Sequence, residues 1–196
     1  MYNSAFLVGP DATVLGRYDK IHLVPFGEYI PLRRLLFFLD KLVAGIGDFH
    51  SGETYTAMAI PPGRFAVLIC FEAIFPDLVR QFVRHGAQFL VNITNDAWFG
   101  YSPASYQHLS MVVFRAVENR LPIVRAANTG ISAVIDPTGR LSQQTDLFVR
   151  TWIKARITPA EGGTTFYTRW GDVFAYGCIL VTAVSLGWGM GGRRPA

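Results

Sequence analysis

Cysteine is scarce in this chain. Of 196 residues only two are cysteines, Cys70 and Cys178, so a disulfide framework is not supported. No CxxC pair or Cys/His cluster of zinc spacing occurs either, which argues against a structural metal site. Charge is also thin, at 16%. The eighteen Lys and Arg residues are scattered, and no basic block marks a nucleic-acid surface. No internal repeat or low-complexity linker interrupts the chain, and Met1-Tyr-Asn-Ser-Ala lacks the charged region and long apolar run of a signal peptide. What remains is a chain that is 51% hydrophobic with a net charge of +4. It is long enough for one domain with a proper core, and its charge suits an anionic membrane surface better than nucleic acid.

The most informative residue is Cys70, which ends the apolar run Phe65-Ala-Val-Leu-Ile-Cys70 and is followed by Phe71-Glu72 and a helix opening at Pro76-Asp77. A thiol at a strand end, ahead of a helix N-terminus, is placed to act as a thiolate nucleophile. The plain alternative is a buried strand cysteine. Upstream, Lys20 and Glu28 flank Leu23-Val-Pro-Phe-Gly27, whose Pro and Gly predict a shaped loop. Lys20, Glu28, Cys70 and Glu72 are the residue types that acyl transfer uses: a thiolate attacks, a cation stabilises the oxyanion, and carboxylates move or position protons. Without that pattern, Lys20 would read as a snorkelling side chain and Glu28 as a solvated loop carboxylate. His22, His50, His85 and His108 have no supporting pattern and read as structural.

In order and spacing, Tyr18-Asp-Lys20 through Gly27-Glu28-Tyr, then Cys70-Phe-Glu72, then Asn92-Ile-Thr-Asn-Asp-Ala-Trp98-Phe99-Gly100 resemble the nitrilase superfamily of carbon-nitrogen hydrolases. Within it, the chain is most similar to the catalytic domain of the apolipoprotein N-acyltransferases. The resemblance implies an α/β fold, a four-layer αββα sandwich that is incomplete here because its N-terminal part is missing. It implies that Cys70 is the nucleophile, that Lys20 stabilises the oxyanion, that Glu28 helps position this machinery, and that Glu72 is a further active-site glutamate. Phe71 departs from the tyrosine common at its place. No residue matches the family's general-base glutamate, so the chain reads as the C-terminal part of a longer enzyme, with little or no activity alone. The implied partners are a phospholipid acyl donor, a diacylglyceryl apolipoprotein acceptor and the membrane. The implied place is the bacterial inner membrane, with the catalytic domain on the periplasmic face. No cofactor is implied. A soluble amidohydrolase of the same superfamily and a non-catalytic remnant domain are the competing readings.

Apolar patterning predicts strands near Ser4–Val8, Phe65–Cys70, Phe89–Thr94, Ile123–Ala127 and Ile131–Ile135, with Asn128-Thr-Gly130 as a hairpin turn. Helices are expected from Pro76 to before Gly86 and from about Ser102 to before Pro122, the second burying Leu109, Val112, Val113, Ala116 and Val117. Trp98 and Phe99, just past a strand, are expected at the active-site rim as substrate-binding residues, with core packing as the alternative. Leu35-Leu-Phe-Phe-Leu39 and Leu42-Val43, with Arg33, Arg34 and Lys41 alongside, have the composition of an interfacial arm. Residues 1–170 are thus expected to form the partial catalytic domain. Residues 171–192 hold no charge from Val173 to Gly192, would span about 30 Å as a helix, and are expected to cross the bilayer. Residues 193–196 would follow as a cytoplasmic tail.

Overall fold

The computed structural model describes residues 1–31, 49–161 and 163–191. The arm expected around Leu35 to Val43 lies outside them. Ser4–Val8 (β1) and Val14–Asp19 (β2) form an antiparallel pair. Among the described residues the second sheet has six strands in sequential order: Ala57–Ile60 (β3), Gly63–Ile69 (β4), Phe89–Asn95 (β5), Ile123–Asn128 (β6), Ala133–Ile135 (β7) and Leu141–Gln144 (β8).

The three central strands β4, β5 and β6 run parallel, and the outer pairings are antiparallel. Parallel neighbours need a crossover. Pro76–Arg84 (α1) supplies the one between β4 and β5, and Ala104–Asn119 (α2) the one between β5 and β6. The run from Phe65 to Ile69 is buried throughout, as a strand covered on both faces requires. This arrangement brings the C-terminal ends of β4, β5 and β6 to one edge of the sheet, where open α/β sheets bind their ligands.

The short helix Phe166–Trp170 (α3) packs against α1 and α2. Thr168 is buried there and its hydroxyl donates to Asn119 Oδ1 at 2.8 Å. On α2 the buried face is more polar than the apolar pattern predicts: His108, Arg115 and Asn119 are inside with Leu109, Val112 and Ala116, while Val117 is 41% exposed. Arg115 is held there by Ile74 O at 3.1 Å and Glu118 Oε1 at 2.6 Å.

The C-terminal expectation needs correction. A helix, Val173–Gly191 (α4), does form where a bilayer span was expected. Among the described residues, however, no helix is long and apolar enough to cross a membrane. Gly177, Gly187, Tyr176 and Trp188 stand among its apolar side chains. From Val173 to Trp188 its side chains are exposed on all sides.

Candidate active site

Cys70 sits immediately past β4 and opens a 3-10 turn, Cys70–Ile74, so α1 begins only at Pro76. The thiol is half-buried. Its backbone has φ of +54°, a left-handed conformation that disfavours any residue with a Cβ. The reversal turns the chain at the strand end, directly ahead of Phe71 and Glu72.

Glu72 is fully buried and saturated with donors. Its Oε1 accepts from the Tyr18 hydroxyl at 2.6 Å, Ile21 N at 2.8 Å and His22 N at 3.1 Å, and its Oε2 accepts from Ile69 N at 2.8 Å. The carboxyl therefore joins the turn carrying Cys70 to the segment carrying Lys20. Burial raises its pKa despite those hydrogen bonds.

Lys20 is also buried, and its ammonium donates to Glu28 Oε2 at 2.8 Å. Glu28 further accepts from Val24 N at 2.8 Å and, on its other oxygen, from Asn3 Nδ2 at 2.7 Å. Burial works against the Glu28 carboxylate, but the Lys20, Val24 and Asn3 donors outweigh it and its pKa falls below the usual value. The loop between Lys20 and Glu28 is thus closed by a shielded ion pair, which fixes the ammonium in place.

Trp98 and Phe99 lie on the 3-10 turn Asp96–Phe99 at the end of β5, the strand beside the one that leads into Cys70. Trp98 is 88% exposed, so core packing does not account for it. Phe99 is turned inward far enough to meet the His108 ring edge-on at 5.9 Å. The His22 ring lies tilted against Phe75 with centroids 3.7 Å apart, and Phe71 meets the same Phe75 ring edge-on at 5.2 Å.

Sequence reading missed a buried polar cluster beneath this edge: Asn92, Thr94, Asp96, His108 and Arg125. A signal was available, since Asn92 and Thr94 alternate on one face of an otherwise apolar strand and Arg125 interrupts another. Arg125 Nη2 meets Asp96 Oδ2 at 2.6 Å with both side chains wholly shielded. Cys70 lies within electrostatic range of the Arg125 guanidinium. Among the described residues, no group of three or more His, Cys, Asp or Glu could hold a metal ion.

The family model for carbon-nitrogen hydrolases matches residues 1–167. The chain belongs to the carbon-nitrogen hydrolase family. It is 57% identical over 182 residues to an apolipoprotein N-acyltransferase from Geobacter metallireducens, covering 93% of this chain and 35% of that protein. It is 46% identical over 189 residues to the one from Bradyrhizobium diazoefficiens, covering 94% and 34%. The chain therefore spans about a third of the length of these relatives. In fold it is similar to Saccharomyces cerevisiae Nit3 of the nitrilase superfamily, with a TM-score of 0.54 at 20% identity over 75% of this chain and 50% of that one. An amidase from Nesterenkonia gives a TM-score of 0.55 at 22% identity over 74% and 51%.

For a carbon-nitrogen hydrolase, the arrangement is chemically specific about its carboxylates. Glu28 is engaged on both oxygens by Lys20, Val24 and Asn3, and Glu72 by four donors. Glu28 thereby holds the loop and Glu72, with four donors, holds the turn.

Proposed function

We propose that this chain carries the nucleophile and oxyanion-stabilising part of an apolipoprotein N-acyltransferase. Cys70 Sγ, as thiolate, attacks the ester carbonyl of a phospholipid acyl chain. A tetrahedral intermediate forms, and its oxyanion is stabilised by the Lys20 ammonium, held by Glu28. The carbon–oxygen bond then breaks, the lysophospholipid alkoxide leaves and takes up a proton, and a Cys70 thioester remains. The α-amine of a diacylglyceryl-cysteine lipoprotein attacks the thioester. The carbon–sulfur bond breaks, the amine loses a proton, and an amide and free thiolate result.

One observation carries this proposal: Glu72 binds the backbone at Ile21 and His22, next to Lys20, while standing two positions past Cys70. Cation and thiol are thereby parts of one unit. The similarity to apolipoprotein N-acyltransferases supports the choice of substrates. With Glu28 and Glu72 both engaged, the proton-accepting base is proposed to come from outside these residues, and turnover by this chain alone to be low. The two sheets are proposed to belong to the family's four-layer αββα sandwich. Both substrates are lipids, so the reaction is proposed to run at the bacterial inner membrane. Trp98, which is exposed, is proposed to face the acyl chain, and the exposed apolar surface of α4 to face lipid.

The test is incubation with a phospholipid bearing a labelled acyl chain, alongside a small labelled amide. A hydroxylamine-labile label on Cys70 from the phospholipid, absent from Cys70→Ser, is expected. Labelling from the small amide alone would overturn the lipid assignment, and no label from either would overturn the nucleophile.

A further inference from the structure

The buried cluster beneath the site has a connectivity that packing alone does not require. Arg125 is 1% exposed, and its guanidinium reaches three elements. Nε donates to Ile131 O, in the connection between β6 and β7, at 3.1 Å; Nη1 donates to Asn92 Oδ1 on β5; Nη2 donates to Asp96 Oδ2 at 2.6 Å. Asn92 extends the line, because its Nδ2 donates to Leu68 O at 3.0 Å, on β4 two positions before Cys70. The register explains this: Asn92 is paired with Leu68 on one side and Arg125 on the other, so the bridge runs straight across the three parallel strands.

Asp96 anchors the other end. It is the first residue of the turn bearing Trp98, and its Oδ1 accepts from Thr94 Oγ1 at 2.9 Å and meets His108 Nδ1 at 3.1 Å. An ionised carboxylate only accepts, so the proton lies on His108 Nδ1, and the 3.3 Å approach of Arg125 Nη2 to that nitrogen is a contact without a hydrogen bond. His108 Nε2 is left buried with no partner. A buried ion pair adds little net stability over apolar residues of similar volume, so the three-way bonding, not the charge pairing, is what Arg125 contributes.

We propose that Arg125 is a positioning residue that locks the strand delivering Cys70 to the turn presenting Trp98, so that nucleophile and acyl-binding rim keep a fixed relation. This rests on Cys70 being the nucleophile, as proposed above. Arg is required because its planar fork bonds several acceptors at once, whereas a lysine at the same place would balance Asp96 yet act as a point charge.

The full chain, in a Cys178→Ser background, is tested with iodoacetamide, which needs no lipid. Two variants are compared, Arg125→Lys and Asn92→Ala. Alkylation of Cys70 is expected to depart from the wild-type rate by about tenfold in Arg125→Lys, because the access of a small reagent to a half-buried thiol follows the turn that holds it. Hydrogen exchange across residues 94–101 is expected to speed up in the same variant. Asn92→Ala removes the link to β4 and the Arg125 Nη1 acceptor but leaves the Arg125–Asp96 pair, so the alkylation rate changes while the turn stays protected. A folded Arg125→Lys with wild-type alkylation and wild-type protection overturns the proposal. If that variant does not fold, a folded Asn92→Ala alkylating at the wild-type rate does so instead. Loss of both readouts together in Asn92→Ala, in step with its melting temperature, would also overturn it by showing a merely structural role. Failure of phospholipid to label Cys70, with these variant effects intact, would sink the acyl-transfer reading alone.

Discussion

The Tyr18 hydroxyl donates to Glu72 Oε1 across 2.6 Å, joining β2 to the turn after β4 in a fully buried contact. In Glu72→Gln one oxygen becomes an amide NH₂. With the remaining oxygen facing Tyr18, Ile21 and His22, that NH₂ faces the Ile69 N–H, donor against donor. A loss of about 1–3 kcal/mol is expected, the usual cost of orphaning a buried donor, and urea unfolding measures it. Slower alkylation of Cys70 should accompany it, since the same carboxylate shapes the turn.

The Lys20–Glu28 pair gives a pH dependence with a definite sign. The Glu28 pKa is held below its ordinary value of 4.5, with burial opposing and the Lys20 hydrogen bond leading the forces that lower it. The unfolded chain therefore takes up this proton first as pH falls. Stability from Glu28 is fully present above 4.5 and is lost as pH drops through the lowered value. The difference in unfolding free energy between wild type and Glu28→Gln should be largest at neutral pH and shrink in acid. A difference independent of pH would show that the pair contributes nothing through ionisation.

Trp98 should matter to lipid and not to folding. At 88% exposure its replacement by Ala is expected to change stability by no more than about 0.5 kcal/mol. Binding to phospholipid vesicles should weaken by about tenfold or more, the value of burying one large apolar side chain. Sedimentation with vesicles and a thermal melt separate the two effects.

Gly130 reports on the buried cluster from another direction. A Cβ there would come within 2.7 Å of Asp96 Cβ, closer than such atoms approach. Gly130→Ala is expected to destabilise by about 1–3 kcal/mol, as overpacking does. It should also speed exchange in the turn Asp96–Phe99, which Asp96 begins.

The central strands were legible because β4 ends in a continuous apolar run and β5 and β6 are largely apolar, each bounded by turns, and α1 because Pro76 and Gly86 bracket it. The strands β2, β3 and β8 were not. All of β8 is exposed, so it has no buried face to impose a period of two, and β2 is largely exposed around Gly16. Lys20, Glu28, Cys70 and Glu72 stood out by type and spacing, and the structure joins Lys20 to Glu28 directly and Glu72 to the segment next to Lys20. His108 and Arg125 did not stand out, because what keeps each of them buried is a partner distant in sequence. Asp96 supplies it for both, and no local window contains that pairing. For the apolar tail, freedom from charge predicted a bilayer crossing; a helix forms there, but among the described residues no helix is long and apolar enough to cross a membrane.

Cys70 occupies a conformation in which only glycine would be at ease, since φ is +54°. Replacing it with glycine should make the fold sturdier by about 1 kcal/mol, the relief of a misplaced Cβ. The same change deletes the sulfur. Durability and reactivity are thus set against each other at a single backbone torsion, and a screen for heat-resistant variants of this chain would be drawn toward discarding its chemistry.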